Sequence, residues 1–240
     1  MTIGEDKLEV IMDYAICMDW VVAFDGKSKG NQHLHRVNKI VEYLADVECA
    51  RHDICVAGGW FHDLGLINGN KGHCFAGVKS AKEYLTEIGV DPEDIEMVTH
   101  CIEAHDGEVE AETPEAKVVH DADTIDKMGP LGFVRHVWKI SLVEDFEAEE
   151  LVHVVSEHLA NRYSKLYFSS SADLIKDFVQ VLASLLENKE SARRVVETVS
   201  RGAGDGVPSE KVAEDLFRDP TLDENFCESI RKQMSVDYLP

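Results

Sequence analysis

Basic residues are scarce in this sequence: 24 Lys and Arg stand against 46 Asp and Glu in 240 residues, a formal net charge of -22 with histidines neutral. So negative a chain repels phosphates instead of exchanging their counterions, which argues against non-specific binding to nucleic acid or to an anionic membrane. A phosphate-bearing substrate would need a local positive centre. No apolar run approaches the roughly 20 residues needed to span a bilayer. Met1 to Glu9 lack the basic and apolar regions of a signal peptide. The six cysteines, Cys17, Cys49, Cys55, Cys74, Cys101 and Cys227, include no C-x-x-C pair, and reduced, mostly buried thiols in a cytoplasmic protein account for them. Strand-like alternation bounded by hairpin turns is missing, as are internal repeats and low-complexity segments, so the expected fold class is all-α.

What is present is helical periodicity. With 44% hydrophobic and 29% charged residues the composition is that of an ordinary globular protein. Leu8, Ile11, Met12, Ala15, Ile16 and Trp20 give a first helix within 5 to 24, ended by the loop Asp25 to Asn31. A second begins at Gln32 and lines up His33, Val37, Ile40, Val41 and Leu44, with His35 turned about 160° away. A third, about 51 to 64, ends on Trp60-Phe61-His62-Asp63-Leu64-Gly65, with Gly65 as its stop. The loop Asn68 to Gly72 leads to a fourth helix from His73 to Gly89. Asp91-Pro92-Glu93-Asp94 starts a fifth, on which Ile95, Val98, Ile102 and His105 share a face that His100 avoids. Thr113-Pro114-Glu115 opens a sixth, on which Asp123 and Asp126 continue the stripe of Ala116 and Val119. Leu131 to Val143 and the acidic stretch Glu144 to Glu150 come next, then helical patterns over about 149–168 and 171–187. The expected division is a domain over 1–190 and a peripheral helical tail over 191–240, with amphipathic patches at 209–217 and 223–234 that pack on the core or on a second subunit.

Charged groups at the end of an apolar run need a partner. His62 and Asp63 adjoin, so both reach one cation only near a helix end; otherwise they are a capping His and a solvated Asp. His33, His62, Asp63 and Asp123 together suit a divalent first-row metal or Mg²⁺, without the thiolates of a structural zinc site.

Here the sequence resembles the HD-domain superfamily of metal-dependent phosphohydrolases, whose pattern is H, then HD, then D on separate helices. The matching residues are His33-x-x-Arg36-Val37, Trp60 to Gly65, and Asp121-Ala122-Asp123-Thr124-Ile125-Asp126, and the resemblance covers about residues 8 to 165. It implies an HD-type helical bundle with a C-terminal helical extension. It also implies a divalent ion, whether Mn, Fe, Co, Ni, Zn or Mg, one or two per chain. His73 and His105 occupy the places where some members hold a second metal; otherwise His73 caps helix four and His105 bonds substrate. Asp106 stands where many binuclear relatives have a further histidine, which puts that second position in question.

The chemistry the resemblance implies is hydrolysis of a phosphate ester or anhydride, most readily of a nucleotide, by metal-activated water. Asp63, Arg36 and Asp126 are the candidate catalytic residues. Arg36, Lys71 and Lys127 are candidates for holding phosphate, and Asp126 and Asp106 for accepting a proton from water or orienting a ligand histidine. A phosphodiesterase with a binuclear site, a non-catalytic nucleotide-binding module and a plain helical scaffold are the competing readings. The intact ligand set speaks against the sensor, and carboxylates on an apolar stripe speak against the scaffold.

Overall fold

The computed structural model of the chain describes residues 2–19, 32–69, 71–144 and 146–240. Trp20 at the end of the first expected helix, the loop Asp25 to Asn31, and Asn70 lie outside them. Among the described residues there is no strand. The regular elements are α1 (Glu5–Cys17), α2 (Gln32–Val47), α3 (His52–Phe61), a 3₁₀ turn (Leu64–Asn68), α4 (His73–Glu87), α5 (Pro92–Ala104), α6 (Pro114–Asp126), α7 (Gly129–Ser141), α8 (Ala148–Tyr163), α9 (Ser169–Glu187), α10 (Lys189–Gly204), α11 (Ser209–Leu216) and α12 (Glu224–Ser235). The fold is all-α. No helix among the described residues is long and apolar enough to cross a membrane. The chain divides into two compact units, Met1–Asp123 and Thr124–Pro240, a boundary different from the division at 190 read from composition.

The first unit is built around α3, whose residues from Ile54 to Phe61 are all buried. That continuous apolar run is explained by its neighbours, since α1, α2 and α5 all pack against it. Close approach is possible because α3 carries glycines where the helices touch. A Cβ at Gly58 would lie 2.6 Å from Cys101 Cβ on α5, and one at Gly59 would lie 2.7 Å from Asn38 Oδ1 on α2. Polar contacts set the start of α3: the Arg51 guanidinium bridges Asp53 and Asp94 at 2.8 Å each, and Asp53 also accepts the Ile3 N–H at 2.8 Å. Gly89 follows α4 at φ +73, the left-handed conformation expected of a residue just past a helix end.

Gly65 has a different role from the one its sequence suggests. It is not among the glycines at positive φ, and it lies inside the 3₁₀ turn and not at a helix stop. A Cβ there would meet the His73 carbonyl oxygen at 1.7 Å and the Gly77 nitrogen at 2.6 Å. Glycine is needed for backbone proximity, which seats the turn directly against the start of α4.

In the second unit α7 packs against α8, α9, α10, α11 and α12. Gln233 of α12 ties down the start of α7, accepting the Leu131 N–H at 3.0 Å and donating to the Met128 carbonyl at 2.9 Å. Trp138 Nε1 donates to the Val207 carbonyl at 2.7 Å. The segment beyond 190 thus supplies buried residues to this unit, among them Val195, Val196 and Val199 of α10, each contributing about 1.5–3 kcal/mol by leaving water.

Burial, then the charges of His158, Arg162, Lys127 and Arg135, hold His136 well below the ordinary imidazole value. Burial, then Arg162, Lys127, Lys139 and Lys165, lower His158 to about 4. Histidines depressed in the folded state take up protons sooner in the unfolded chain, so stability is expected to decline as pH falls from about 6.5 toward about 4. A thermal-unfolding series over that window should show the decline, and His136→Gln should flatten part of it; an identical slope in the variant would remove His136 as its source.

Candidate metal centre

All six candidate metal ligands lie in the first unit. His33 comes from the first turn of α2, His62 and Asp63 from the step between α3 and the 3₁₀ turn, His73 from the first residue of α4, His105 from the residue after α5, and Asp123 from α6. Placing these groups at helix ends frees adjacent side chains from the 100° spacing of a continuous helix, so His62 and Asp63 face one cluster.

Two imidazole pairs result. His33 Nε2 and His62 Nε2 stand 3.2 Å apart, as do His73 Nε2 and His105 Nε2. Asp63 faces both. Its Oδ2 is 3.5 Å from His33 Nε2 and 3.5 Å from His62 Nε2, while its Oδ1 is 3.5 Å from His73 Nε2 and 3.7 Å from His105 Nε2. Asp123 Oδ1 closes the first group, 3.3 Å from His33 Nε2 and 3.6 Å from His62 Nε2.

Tautomers decide what these groups can hold. Backbone carbonyls accept the Nδ1 protons, Gly59 from His62 at 2.7 Å and Ile102 from His105 at 2.7 Å. The neutral ring then carries its lone pair on Nε2, aimed into the cluster. His62, His105 and Asp123 are fully buried, so bulk water does not screen the lone pairs and carboxylates gathered there. A cation between them removes the repulsion. For metal–ligand bonds of about 2.1 Å, ligand atoms are about 3.0 Å apart at right angles and about 3.4 Å apart at the tetrahedral angle, close to the separations found. The donor set therefore fits a divalent ion at His33, His62, Asp63 and Asp123. A second position is offered by His73, His105 and the other oxygen of Asp63.

Electrostatics agree with this arrangement. Burial would raise the Asp63 carboxyl, but when the surrounding imidazoles are protonated the His62 charge and hydrogen bonds from His105, His33 and His62 hold it well below the ordinary carboxylate range, the place a cation takes when the rings are neutral. Burial lowers His105, against a hydrogen bond to Asp63 that raises it, and the net lowering favours the neutral imidazole that a ligand requires.

Cys74 was not singled out by the sequence. Its thiol lies with His73 and His105 in a second group of metal-ligating atoms, and it donates to Asp106 Oδ2 at 2.8 Å. Asp106 also accepts the Glu108 N–H at 2.9 Å, so its carboxylate is engaged by its own turn and by Cys74. Nothing in the spacing marks Cys74 as different from the other buried thiols.

The remaining candidates are more dispersed. Arg36 is buried at 2% exposure, one helical turn beyond His33. His35 lies on the exposed side of α2 with its ring edge-on to Trp60, centroids 5.2 Å apart. His100 accepts the Glu112 N–H at 3.0 Å. Lys71 is exposed and Lys127 half-buried, while Asp126 is buried and ion-paired with Arg135.

Residues 31–128 match the HD domain family. No curated protein matches the sequence. Among solved structures, one Lactobacillus plantarum protein is 20% identical, covering 79% of this chain and 97% of its own, with a TM-score of 0.61. Bacillus subtilis YpgQ is 19% identical over 77% of this chain and 94% of its own, at 0.59, and has also been solved in complex with ADP. A predicted HD superfamily hydrolase from an uncultured Thermotogales bacterium is 14% identical over 78% of this chain and 91% of its own, at 0.51. Sequence match and shared fold thus agree, and the chain carries an HD domain over residues 31–128.

Proposed function

We propose that this protein is a metal-dependent phosphohydrolase that cleaves a phosphate ester or anhydride, with a nucleotide as its substrate. The observation that carries the reading is Asp63, whose two oxygens each face a pair of imidazole lone pairs in a buried cluster. His33, His62, Asp63 and Asp123 would hold one divalent ion, and His73, His105 and Asp63 a second. When bound, such an ion lowers the pKa of water toward neutrality and polarises a phosphoryl oxygen.

The chain's own residues supply positioning. The Gly59 and Ile102 carbonyls fix His62 and His105 in the tautomer with Nε2 inward. Asp63 keeps both positions in register. Arg36 is proposed to hold phosphate oxygens, its planar fork suiting two of them at once. Lys71 and Lys127 are proposed to add charge along the phosphate chain. The pairing of Asp126 with Arg135 favours a supporting part for that carboxylate over proton transfer. The nucleotide part of the reading is supported by the ADP complex of YpgQ.

Metal analysis after purification without chelators, followed by hydrolysis of a nucleotide panel with added Mn²⁺, tests the proposal. Protein that binds no metal and releases no phosphate or pyrophosphate from any member of the panel would overturn it. The two imidazole pairs also favour a second reading, a phosphodiesterase with two ions, and turnover of cyclic nucleotides in preference to nucleoside triphosphates would select it. Binding of a nucleotide with no turnover in single-turnover assays would select a sensor module.

Stoichiometry follows from the same geometry. The parent protein is expected to approach two metals per chain and His105→Ala to fall to one, as read by elemental analysis. A ratio of one in both would leave His33, His62, Asp63 and Asp123 as the whole centre. For Arg36, Arg36→Lys keeps the charge but loses the fork, and should lower kcat/KM about tenfold with metal content unchanged. Normal turnover in that variant would separate Arg36 from substrate.

A further inference from the structure

The two proposed metal positions differ in the charge their ligands carry. At the first, His33 and His62 face Asp63 Oδ2 and Asp123 Oδ1, whereas at the second, His73 and His105 share the other oxygen of Asp63. The second position therefore has no carboxylate of its own among the proposed ligands. Divalent ions at both positions would bring their charge into a cluster in which His62, His105 and Asp123 are fully buried, and a further anionic ligand at the second position would balance it.

Cys74 lies where such a ligand is needed. It is the second residue of α4, beside His73, and is buried. Its Sγ is 3.7 Å from His73 Nε2, and Cys74, His73 and His105 each offer a ligand atom within 4.8 Å of the other two. An ion bonded tetrahedrally to nitrogen at about 2.1 Å and to sulfur at about 2.3 Å sets those atoms about 3.6 Å apart. The sulfur is also 3.9 Å from His73 Nδ1, so it stands beside the ring, and coordination requires it to turn from Asp106 toward the Nε2 side. By itself the thiol stays protonated: burial, then Asp106, whose Oδ2 accepts its hydrogen bond at 2.8 Å, push it above the ordinary thiol range. Coordination reverses this, because a thiol bound to a metal ion is deprotonated outright. The S–H bond breaks as the sulfur–metal bond forms, and Asp106 Oδ2 takes the proton. The first turn of α4 favours the negative sulfur that results.

We infer that the Cys74 thiolate is the fourth ligand of the second position, with His73, His105 and Asp63 Oδ1, and that this position prefers a thiophilic ion such as Zn²⁺ to Mn²⁺ or Mg²⁺ more strongly than the first position does. Thiolate is a soft ligand that suits zinc, whereas the two imidazoles and two carboxylates of the first position also accept harder ions. The centre is thus built for two different metals. Asp106, which from the sequence puts the second position in question, becomes the acceptor that lets Cys74 ionise. The inference deepens the metal-dependent reading and rests on it.

Its test uses the full chain with the exposed Cys17 and Cys49 changed to Ser, so that surface thiols do not report. Titrated with Co²⁺ alone, this protein should show an intense near-ultraviolet sulfur-to-cobalt charge-transfer band as the second position fills. Adding Cys74→Ser should remove the band and weaken Zn²⁺ binding at that position roughly a hundredfold or more, with Mn²⁺ binding at the first position unchanged. Circular dichroism and Tm of the metal-stripped variant check the fold. Cobalt bound without the band in protein that retains Cys74 would overturn the inference while leaving the metal centre standing. A band that survives Cys74→Ser, or Zn²⁺ held by that variant within about tenfold of the parent affinity, would do the same. Protein that takes up no cobalt would overturn the metal-dependent reading, and this inference with it.

Discussion

Asp63→Asn is expected to disable both metal positions at once. The substitution preserves shape but removes the negative charge shared between two imidazole pairs, whose nitrogens lie 3.5 to 3.7 Å from the carboxylate oxygens. Metal content should fall from about two to well below one per chain, and phosphohydrolase activity by more than about a hundredfold, beyond the usual loss when only a partner of a ligand is removed. Because bound metal stabilises the folded state by mass action, the difference in Tm between metal-loaded and metal-stripped protein should shrink in the variant. His73→Ala is the informative comparison, since it touches only one pair. If Asp63→Asn kept two ions, the two pairs would have to be independent centres.

Gly65→Ala is expected to damage the same centre by a different route. The added methyl would fall 1.7 Å from the His73 carbonyl oxygen and 2.6 Å from the Gly77 nitrogen, and both neighbours are backbone that cannot swing away. Relief requires α4 to move off the 3₁₀ turn, carrying His73 away from Asp63. A loss of roughly 3 kcal/mol or more is expected, in the range of overpacked cores and broken backbone contacts. Chemical denaturation should measure it, with metal stoichiometry falling toward one. Gly204→Ala, where the new Cβ meets nothing within 4 Å, supplies the control and should be nearly neutral. Parent-like stability and metal content in Gly65→Ala would show that the turn yields more easily than its geometry implies.

Much of the first unit was legible because its polar ligands interrupt apolar stripes. His33 heads the stripe of Val37, Ile40 and Leu44, His105 ends that of Ile95, Val98 and Ile102, and Asp123 continues that of Ala116 and Val119. Each of these apolar residues is buried. Periodicity reports which way a side chain faces, and this was enough to bring out the HD pattern. It does not report how closely two backbones approach, so Gly65 read as a stop when its part is proximity. It also gave no reason to separate Cys74 from Cys55 or Cys101, because all three are buried and only the fold brings one of them beside His73 and Asp106. The tail illustrates the same limit. The patches at 209–217 and 223–234 are α11 and α12, but α10 was missed, although the stripe of Ala192, Val195, Val199 and Ala203 carries that helix to Gly204.

The division of the chain after Asp123 also bears on the order in which the protein is made. Every proposed metal ligand, from His33 to Asp123, precedes that division, whereas α7 is not anchored until Gln233 of α12 has been added. Domains form from the N-terminus as the chain is synthesised. The histidine and aspartate cluster can therefore assemble on a nascent chain, while the second unit has to wait until Gln233 has emerged.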